Sequence, residues 1–262
     1  MPAYENISVE RTDGVATITF DNTDQRNALD IETTDELLTA ATRLGDDSDV
    51  RCIVLTHTGE FYGTGADLTA LSGDASDAPY IRRLASRIHE AVVQFHQAPK
   101  PVVGGIDGIA AGAGFSLALV PDLLVLSEDA RLEFAYPRIG LTGDGGATFL
   151  LPRLVGLRTA KELVLLDEPI YPERAVELGL ATEVVPSDTF SDRLTELARD
   201  IASGPTHALG QTMRLLTESF DRSLESQLAM ETDVIADAIQ TTDFERGYEA
   251  FFEGNEPTFV GR

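Results

Sequence analysis

The hydrophobic positions of the chain follow two different periods. Apolar residues alternate with polar ones from Val15 to Phe20 and form a continuous run from Cys52 to Leu55, which is typical of strands. The segments from Ile31 to Leu44 and from about Tyr80 to Phe95 carry apolar residues at helical spacing instead. Two further short apolar runs, Val102-Val103 and Leu123 to Leu126, predict buried strands, and Glu183-Val184-Val185 predicts a later strand. Strands that alternate with helices predict an α/β fold with a largely parallel sheet.

The pattern changes after the last predicted strand. Three or four amphipathic helices are predicted from there to Phe252, with breaks at Gly204-Pro205 and Phe220-Asp221. Helices of this kind bury little surface alone, so we expect them to cover the sheet or to pack on another subunit. The sequence therefore predicts an α/β core over residues 1–190 and a helical region over residues 191–262 that forms oligomers.

Acidic residues outnumber basic ones by 44 to 20, which gives a formal net charge of −24 at pH 7. Such a surface repels the phosphates of nucleic acids and anionic lipid headgroups, so we expect neither nucleic acid nor a membrane as a partner. Because the acids are dispersed over all segments, their mutual repulsion destabilises the fold unless salt screens it. We therefore expect a host with high internal salt.

Other features restrict the location and the chemistry. The first ten residues do not resemble a signal peptide, and no apolar stretch approaches the roughly 20 residues of a transmembrane helix, which predicts a cytoplasmic protein. The single cysteine, Cys52, excludes a disulfide within the chain and is best interpreted as a core residue. The four histidines show no metal-ligand spacing and are interpreted as core or surface residues, so no metal site is expected.

Two glycine-rich segments, Phe61 to Leu68 and Asp107 to Leu117, each follow a predicted strand. Glycine permits tight turns and close approach of the backbone to a ligand, and free amides at a helix start favour negative charge. Two such amides that converge would bind an oxyanion, although plain turns explain the glycines equally well. The segments contain neither a P-loop nor a nucleophile elbow, and Leu117 stands where a dinucleotide fingerprint requires Gly or Ala.

A third segment, from Phe134 to Leu151, places Asp144 between glycines just before an apolar helix predicted to start near Gly146. Aspartate is a favoured helix N-cap, and a partly buried carboxylate in a slim loop can also transfer protons. The residues alone favour the cap.

Together, the three segments resemble the crotonase superfamily, the enoyl-CoA hydratase/isomerase proteins. The resemblance covers nearly the whole chain in the family's order and spacing, and it includes Arg26 to Leu29, Lys100 to Val102 and Leu151 to Gly156. It implies a crotonase-like spiral of ββα units followed by a helical C-terminal region that builds trimers, often stacked as hexamers. It also implies an acyl-CoA thioester as substrate, with coenzyme A as part of the substrate and no separate cofactor.

The resemblance implies a set of site residues as well. The backbone amides of Ala66 and Ala113 would hold the thioester oxygen and stabilise the enolate that forms when a neighbouring carbon loses a proton. Residues expected to border the coenzyme A or the acyl group are Arg26, Ala28, Thr64, Gly65, Asp67, Leu68, Gly112, Ser116, Tyr136 and Leu141.

The departures from the family pattern favour an isomerase. Hydratases of the family use two glutamates, and the matching positions here hold Ser116 and Tyr136, whose hydroxyls have pKa values too high for a resting base. Asp144 stands where isomerases of phenylacetate catabolism carry an aspartate. An isomerase needs one base that removes a proton from one carbon and returns it to another, and Asp144 can serve if burial raises its pKa.

Three alternatives remain. The protein could be a hydratase in which Asp144 alone directs water, or a coenzyme A-binding oligomer without activity. The position of Asp144 is also the nucleophile in related 4-chlorobenzoyl-CoA dehalogenases. Those proteins carry a tryptophan where Tyr136 stands, and this chain has no tryptophan, so dehalogenation is disfavoured.

Overall fold

The structure, a computed structural model, describes residues 4–262, which contain nine strands and ten α-helices. The strands are β1 (Ile7–Thr12), β2 (Val15–Phe20), β3 (Cys52–His57), β4 (Phe61–Gly63), β5 (Val102–Ile106), β6 (Ile109–Ala111), β7 (Leu123–Ser127), β8 (Arg131–Glu133) and β9 (Glu183–Val185). The helices are α1 (Ile31–Asp46), α2 (Ala78–His96), α3 (Ala113–Ala118), α4 (Ala147–Val155), α5 (Leu157–Leu166), α6 (Pro172–Glu177), α7 (Phe190–Ser203), α8 (Thr206–Glu218), α9 (Leu224–Ala238) and α10 (Thr242–Glu253). The predicted strands and helices are confirmed, with their ends shifted by a few residues.

The strands form a six-stranded sheet of order β1-β2-β3-β5-β7-β9 and a three-stranded sheet of order β4-β6-β8. All pairings are parallel except that of β1 with β2. Each of β3, β5 and β7 is followed by a strand of the small sheet and then by a helix. This repeat is the spiral of ββα units that the resemblance implies, so the α/β fold class is confirmed.

The central strands of the large sheet, β3, β5 and β7, are buried on both faces, as the continuous apolar run in β3 predicts. Ile53 and Leu55 belong to the main hydrophobic core with α1 and α2, whereas Cys52 and Val54 pack in a second cluster with Phe190 and other residues of α7. Alternate side chains of a strand point to opposite faces, which explains the division. Cys52 is fully buried, and burial raises the pKa of its thiol to about 12, so its interpretation as a core residue is confirmed.

The C-terminal helices differ in what they cover. Helix α7 packs on the large sheet, where a methyl group at Gly105 would lie only 2.3 Å from a methyl carbon of Leu194. Helix α9, in contrast, has no buried residue. The division at residue 190 stays a prediction. Among residues 4–262, every helix is either too short or too polar to cross a membrane.

Candidate active site

The two glycine-rich segments lie against each other through their backbones. A methyl group at Gly114 would lie 2.3 Å from the carbonyl oxygen of Gly63, and one at Gly65 would lie 3.2 Å from the amide nitrogen of Ala113. Real Cβ atoms do not approach a backbone oxygen so closely, so Gly114 is required by packing. The glycines thus allow the loops to contact each other, which brings Gly65 and Ala66 beside the start of α3.

The amides of Ala66 and Ala113 are both available to a ligand. The carbonyl of Gly65 and the amide of Asp67 are both bonded to Leu29, at 2.7 and 2.9 Å, so the intervening amide of Ala66 points to the other side. Ala113 is the first residue of α3, where an amide has no partner within the helix. Within residues 4–262 neither amide donates a hydrogen bond. Two free amides in neighbouring loops are what an oxyanion hole requires.

The other residues expected to bind coenzyme A surround this loop pair. The Thr64 hydroxyl donates to the carbonyl oxygen of Arg26 at 3.4 Å, and the exposed guanidinium of Arg26 lies 5.5 Å from the centre of the Phe61 ring. Ala28 is buried, whereas Leu68 is exposed. The carboxylate of Asp67 accepts from the amide and hydroxyl of Thr69, so it stabilises its own loop.

Asp144 is not a helix cap. The N-cap of α4 is Gly146, and it has no side-chain capping bond. The carboxylate of Asp144 instead contacts His89 on α2, with 2.6 Å between Nε2 of His89 and Oδ1 of Asp144. The cap interpretation is therefore wrong. The Asp144 side chain is 37% exposed, so this chain does not provide the enclosed site that we expected for it.

The two positions that match the hydratase glutamates bind the backbone of Asp144. Ser116 and Tyr136 are both buried, and their hydroxyl oxygens lie 2.9 Å apart. The Ser116 hydroxyl donates to the carbonyl oxygen of Asp144 at 2.8 Å, and the Tyr136 hydroxyl lies 3.3 Å from the same oxygen. Burial raises the pKa of Tyr136 to about 12, so it stays protonated near neutral pH. Leu141, also predicted at the site, is 44% exposed, and its amide donates to the carbonyl of Tyr136.

A short helix joins the two halves of the site. Ala113 begins α3, next to Gly112, and Ser116 lies three residues further along. One turn of an α-helix rises 5.4 Å. The amide that would hold the thioester oxygen and the hydroxyl that holds Asp144 therefore belong to one turn.

His89 is the residue that sequence reasoning missed. It lies 55 positions from Asp144 on a long amphipathic helix that also carries His96, and nothing in its surrounding residues indicates a partner. Together with Asp144 it borders a cavity of about 760 Å³ between α2, α4 and α8. Ala66 and Ala113 do not line this cavity. Among residues 4–262, no group of three or more His, Cys, Asp or Glu side chains is arranged to hold a metal ion.

The chain is similar to several known proteins along most of its length. The 1,2-epoxyphenylacetyl-CoA isomerase of Escherichia coli (strain K12) is 32% identical over 251 residues, which cover 95% of this chain and 96% of that protein. A 4-chlorobenzoyl coenzyme A dehalogenase of an Arthrobacter species is 36% identical over 223 residues, which cover 84% of this chain and 81% of that protein. The crystal structure of an enoyl-CoA hydratase from Bacillus anthracis matches with a TM-score of 0.92 and 30% identity, covering 98% of this chain and all of that one.

The model of the enoyl-CoA hydratase/isomerase family matches residues 10–262, and the paired glycine loops, the two free amides and the nearby carboxylate lie within that range. The chain therefore belongs to the enoyl-CoA hydratase/isomerase family.

Proposed function

We propose that the protein is an acyl-CoA isomerase in which Asp144 moves a proton and the amides of Ala66 and Ala113 hold the thioester oxygen. The observation that carries the proposal is the placement of Asp144. Its backbone is bonded to Ser116, within one turn of Ala113, while the two positions of the hydratase glutamates hold neutral hydroxyls. One carboxylate beside an oxyanion hole is sufficient for a proton shift and lacks the second acid of a two-carboxylate hydration.

For a 3-enoyl thioester the reaction balances without a co-reactant. Asp144 takes a proton from C2, and the electrons of that bond delocalise onto the thioester oxygen, where the two amides stabilise the negative charge. Loss of one such donor typically costs about 3 kcal/mol in activation free energy. The same proton then returns to C4, and the double bond moves from C3–C4 to C2–C3. A ring epoxide, as in the substrate named for the Escherichia coli relative, is a second acyl group of this class.

His89 fits this reaction as an orienting group. Its Nε2 contacts Oδ1 of Asp144, and among residues 4–262 the other carboxylate oxygen, Oδ2, has no hydrogen-bond partner. Oδ2 is thus available for the substrate proton. A hydrogen bond to one carboxylate oxygen restricts the rotation of the group and fixes the direction of the other.

The same contact favours dehalogenation as a second candidate function. An aspartate that displaces chloride from an aromatic ring forms an aryl ester, and hydrolysis of that ester needs a base that activates water beside the aspartate. His89 is within hydrogen-bond distance of Asp144 and is half exposed to water. The Arthrobacter relative carries this activity in its name. The absence of tryptophan from this chain remains the argument against it.

The deciding experiment compares products. The protein is incubated with 3-hexenoyl-CoA and, separately, with 4-chlorobenzoyl-CoA in molar KCl, and the products are identified by mass, NMR and chloride release. A shifted double bond without gain of water supports the isomerase, a hydrated product supports the hydratase alternative, and released chloride supports the second candidate. The Asp144→Asn variant should lose the activity, whereas Asp188→Asn, which changes an exposed aspartate in the loop after β9, should keep it. Turnover unchanged in Asp144→Asn contradicts both catalytic proposals.

We also propose that the protein works as a homotrimer or a dimer of trimers. Large apolar side chains are exposed in two separate regions of the chain. On the C-terminal helices they are Leu216, Phe220, Leu224, Leu228, Ile235, Ile239, Tyr248, Phe251 and Phe252, and on α4 and α5 they are Leu154, Leu157, Leu165 and Leu166. Two different surfaces that pack head to tail generate a closed ring, whereas a two-fold dimer uses one surface twice.

A further inference from the structure

We infer that Ser116 and Tyr136 are positioning residues, which form a neutral clamp on the carbonyl of Asp144 and thereby fix its carboxylate relative to the oxyanion hole. The inference rests on the proposed function for its catalytic consequence, but the clamp itself is a matter of geometry. It assigns a role to the two positions at which the chain departs most clearly from a two-glutamate hydratase.

The hydrogen bonds have one consistent direction. Each hydroxyl has a single proton, and the shortest contact is the 2.8 Å bond from Ser116 to the carbonyl oxygen of Asp144. The Tyr136 proton therefore points to the Ser116 oxygen, 2.9 Å away. The two hydroxyls form a chain that ends on Asp144. Both are buried, and a buried hydroxyl without a partner is costly, so the chain is strongly preferred over open arrangements.

The turn that carries Asp144 depends on this clamp. Gly145 and Gly146 both have left-handed backbone conformations, with φ of +59° and +84°, and Gly146 caps α4 without a side chain. A methyl group at Gly145 would lie 2.9 Å from Cβ of Ser116, so the turn is seated directly on that residue. The remaining bond to the carbonyl of Asp144 comes from the amide of Ala147 at 3.1 Å, within the same turn. Ser116 and Tyr136 connect the backbone of this turn to α3 and to the segment after β8, whereas His89 contacts only the side chain of Asp144.

The position of the turn determines the catalytic geometry. The Asp144 side chain is 37% exposed, and its one side-chain partner, His89, is exposed on a different helix. A rotation of the turn would move the carboxylate while the amide of Ala113 stayed in place. Because Ser116 lies in the same helical turn as Ala113, the clamp holds the base at a fixed distance from the oxygen that the amides bind.

The chain offers a matched pair of variants to test the clamp. Tyr136→Phe removes a buried hydroxyl that makes two contacts, and Tyr62→Phe removes a buried hydroxyl that has no partner within residues 4–262. The Tyr62 ring packs in the core against Phe20 and His57. Ser116→Ala removes the other half of the clamp. Each variant keeps its ring or its small side chain, so packing is nearly unchanged.

With 3-hexenoyl-CoA we expect kcat to fall by about 10-fold to 100-fold in Tyr136→Phe and in Ser116→Ala, because a misplacement of the base by about 1 Å costs up to that much. KM should stay within about twofold, since both residues are buried and their hydroxyls contact the backbone of Asp144. The double variant should be no slower than the slower single variant, as expected for groups that act as one unit. Tyr62→Phe should retain the kcat of the unmodified protein. A kcat within twofold in both clamp variants, or a loss in Tyr62→Phe of equal size, overturns the inference.

A second measurement does not require activity. The ring signals of His89, observed by NMR in histidine-labelled protein at one fixed pH and assigned with His89→Gln, respond to the position of the Asp144 carboxylate. They should shift in both clamp variants and stay in place in Tyr62→Phe. Unmoved signals in the clamp variants overturn the clamp. Shifted signals in a protein that does not isomerise 3-hexenoyl-CoA support the clamp and overturn only the proposed function.

Discussion

The imidazole Nε2 of His89 lies 2.6 Å from Oδ1 of Asp144, across 55 positions of the chain. The contact joins α2 to the turn before α4 and occupies one oxygen of the carboxylate. An isomerase uses the other oxygen and needs His89 only for orientation, whereas an aryl-ester hydrolase needs His89 as a base. Substitutions of His89 and Asp144 therefore distinguish an isomerase from an aryl-ester hydrolase, because the two reactions differ in how much activity is lost when His89 is replaced.

Substitution of the two residues should give unequal losses if the protein is an isomerase. We expect Asp144→Asn to lower kcat on 3-hexenoyl-CoA by about 10²-fold to 10⁴-fold, the usual contribution of a general base. His89→Gln keeps a hydrogen-bond donor and should lower it by less than about 10-fold, because the amide of glutamine can still donate to the carboxylate and orient it. Steady-state kinetics of both variants measure this. Equal losses of kcat in the two variants would contradict an orienting role for His89. If His89→Gln no longer released chloride from 4-chlorobenzoyl-CoA, His89 would be identified as a base.

The contact between the glycine loops predicts that a single added methyl group lowers both stability and activity. Gly114→Ala places a carbon 2.3 Å from the carbonyl oxygen of Gly63, so the loops must separate. The free energy of unfolding should fall by at least about 1–3 kcal/mol. Activity should fall as well, because the amide of Ala113 moves. Denaturant unfolding and product formation check both effects.

Gly45 provides the matched control. It lies within α1, and a methyl group there meets no atom within 4 Å. Gly45→Ala should raise the free energy of unfolding by up to about 1 kcal/mol, since alanine is the better helix former. Similar destabilisation by both substitutions would show that the loops do not depend on close backbone contact.

The exposed aromatic residues of α10 predict the oligomer interface. The Phe251 side chain is 79% exposed in the single chain, so Phe251→Glu should leave the subunit folded and break the assembly. Light scattering with size separation should show a lower mass for Phe251→Glu, and Phe251→Leu, which keeps an apolar side chain, should keep the mass of the unmodified protein. A monomeric unmodified protein would contradict the proposed trimer.

The excess of acidic residues predicts stabilisation by salt. With a net charge of −24, repulsion between carboxylates should fall as the Debye length shortens to about 3 Å near 1 M salt. The melting temperature should rise between dilute buffer and molar KCl, and sucrose at equal osmolality should have a smaller effect. No change with KCl would contradict the expected adaptation to salt.

His57 predicts a loss of stability in mild acid. Burial lowers the pKa of its imidazole, an effect partly offset by neighbouring carbonyl groups and by the charge of Asp107, and its Nε2 accepts the amide of Asp107 at 3.0 Å. The unfolded chain takes up a proton near pH 6.5 while the folded chain resists it, so stability falls as the pH drops below about 6.5. His57→Gln does not titrate there and should show a shallower decrease in melting temperature between pH 7.5 and 5.5. Equal slopes would contradict this role.

The larger elements could be predicted from sequence because their periodicity is strong. The run from Cys52 to Leu55 and the helical spacing from Ile31 to Leu44 reflect burial that each segment achieves over several residues. The three strands of the small sheet are three residues long, and two of them lie within glycine-rich segments, so no period is visible. Only the family resemblance indicated them.

The candidate site was predictable in part for a similar reason. The loop glycines and Asp144 occur in short segments with recognisable composition, and the structure brings these segments together. His89 could not be found, because a contact across 55 positions leaves no local pattern. Without the family resemblance, the residues favour a cap at Asp144 because the same residue type serves both roles, and only the left-handed Gly146 shows that the cap position is already taken.

The single turn of α3 that carries both Ala113 and Ser116 has a consequence for the range of substrates. In the proposed site, the donor to the thioester oxygen and the support of the base move together as one rigid unit, so the distance between the bound thioester oxygen and the base is built into the backbone. Acyl groups of different length or shape must therefore be accommodated by residues outside this turn. Substitutions along α2 should change which thioesters are accepted while the position of the proton shift along the acyl chain stays the same.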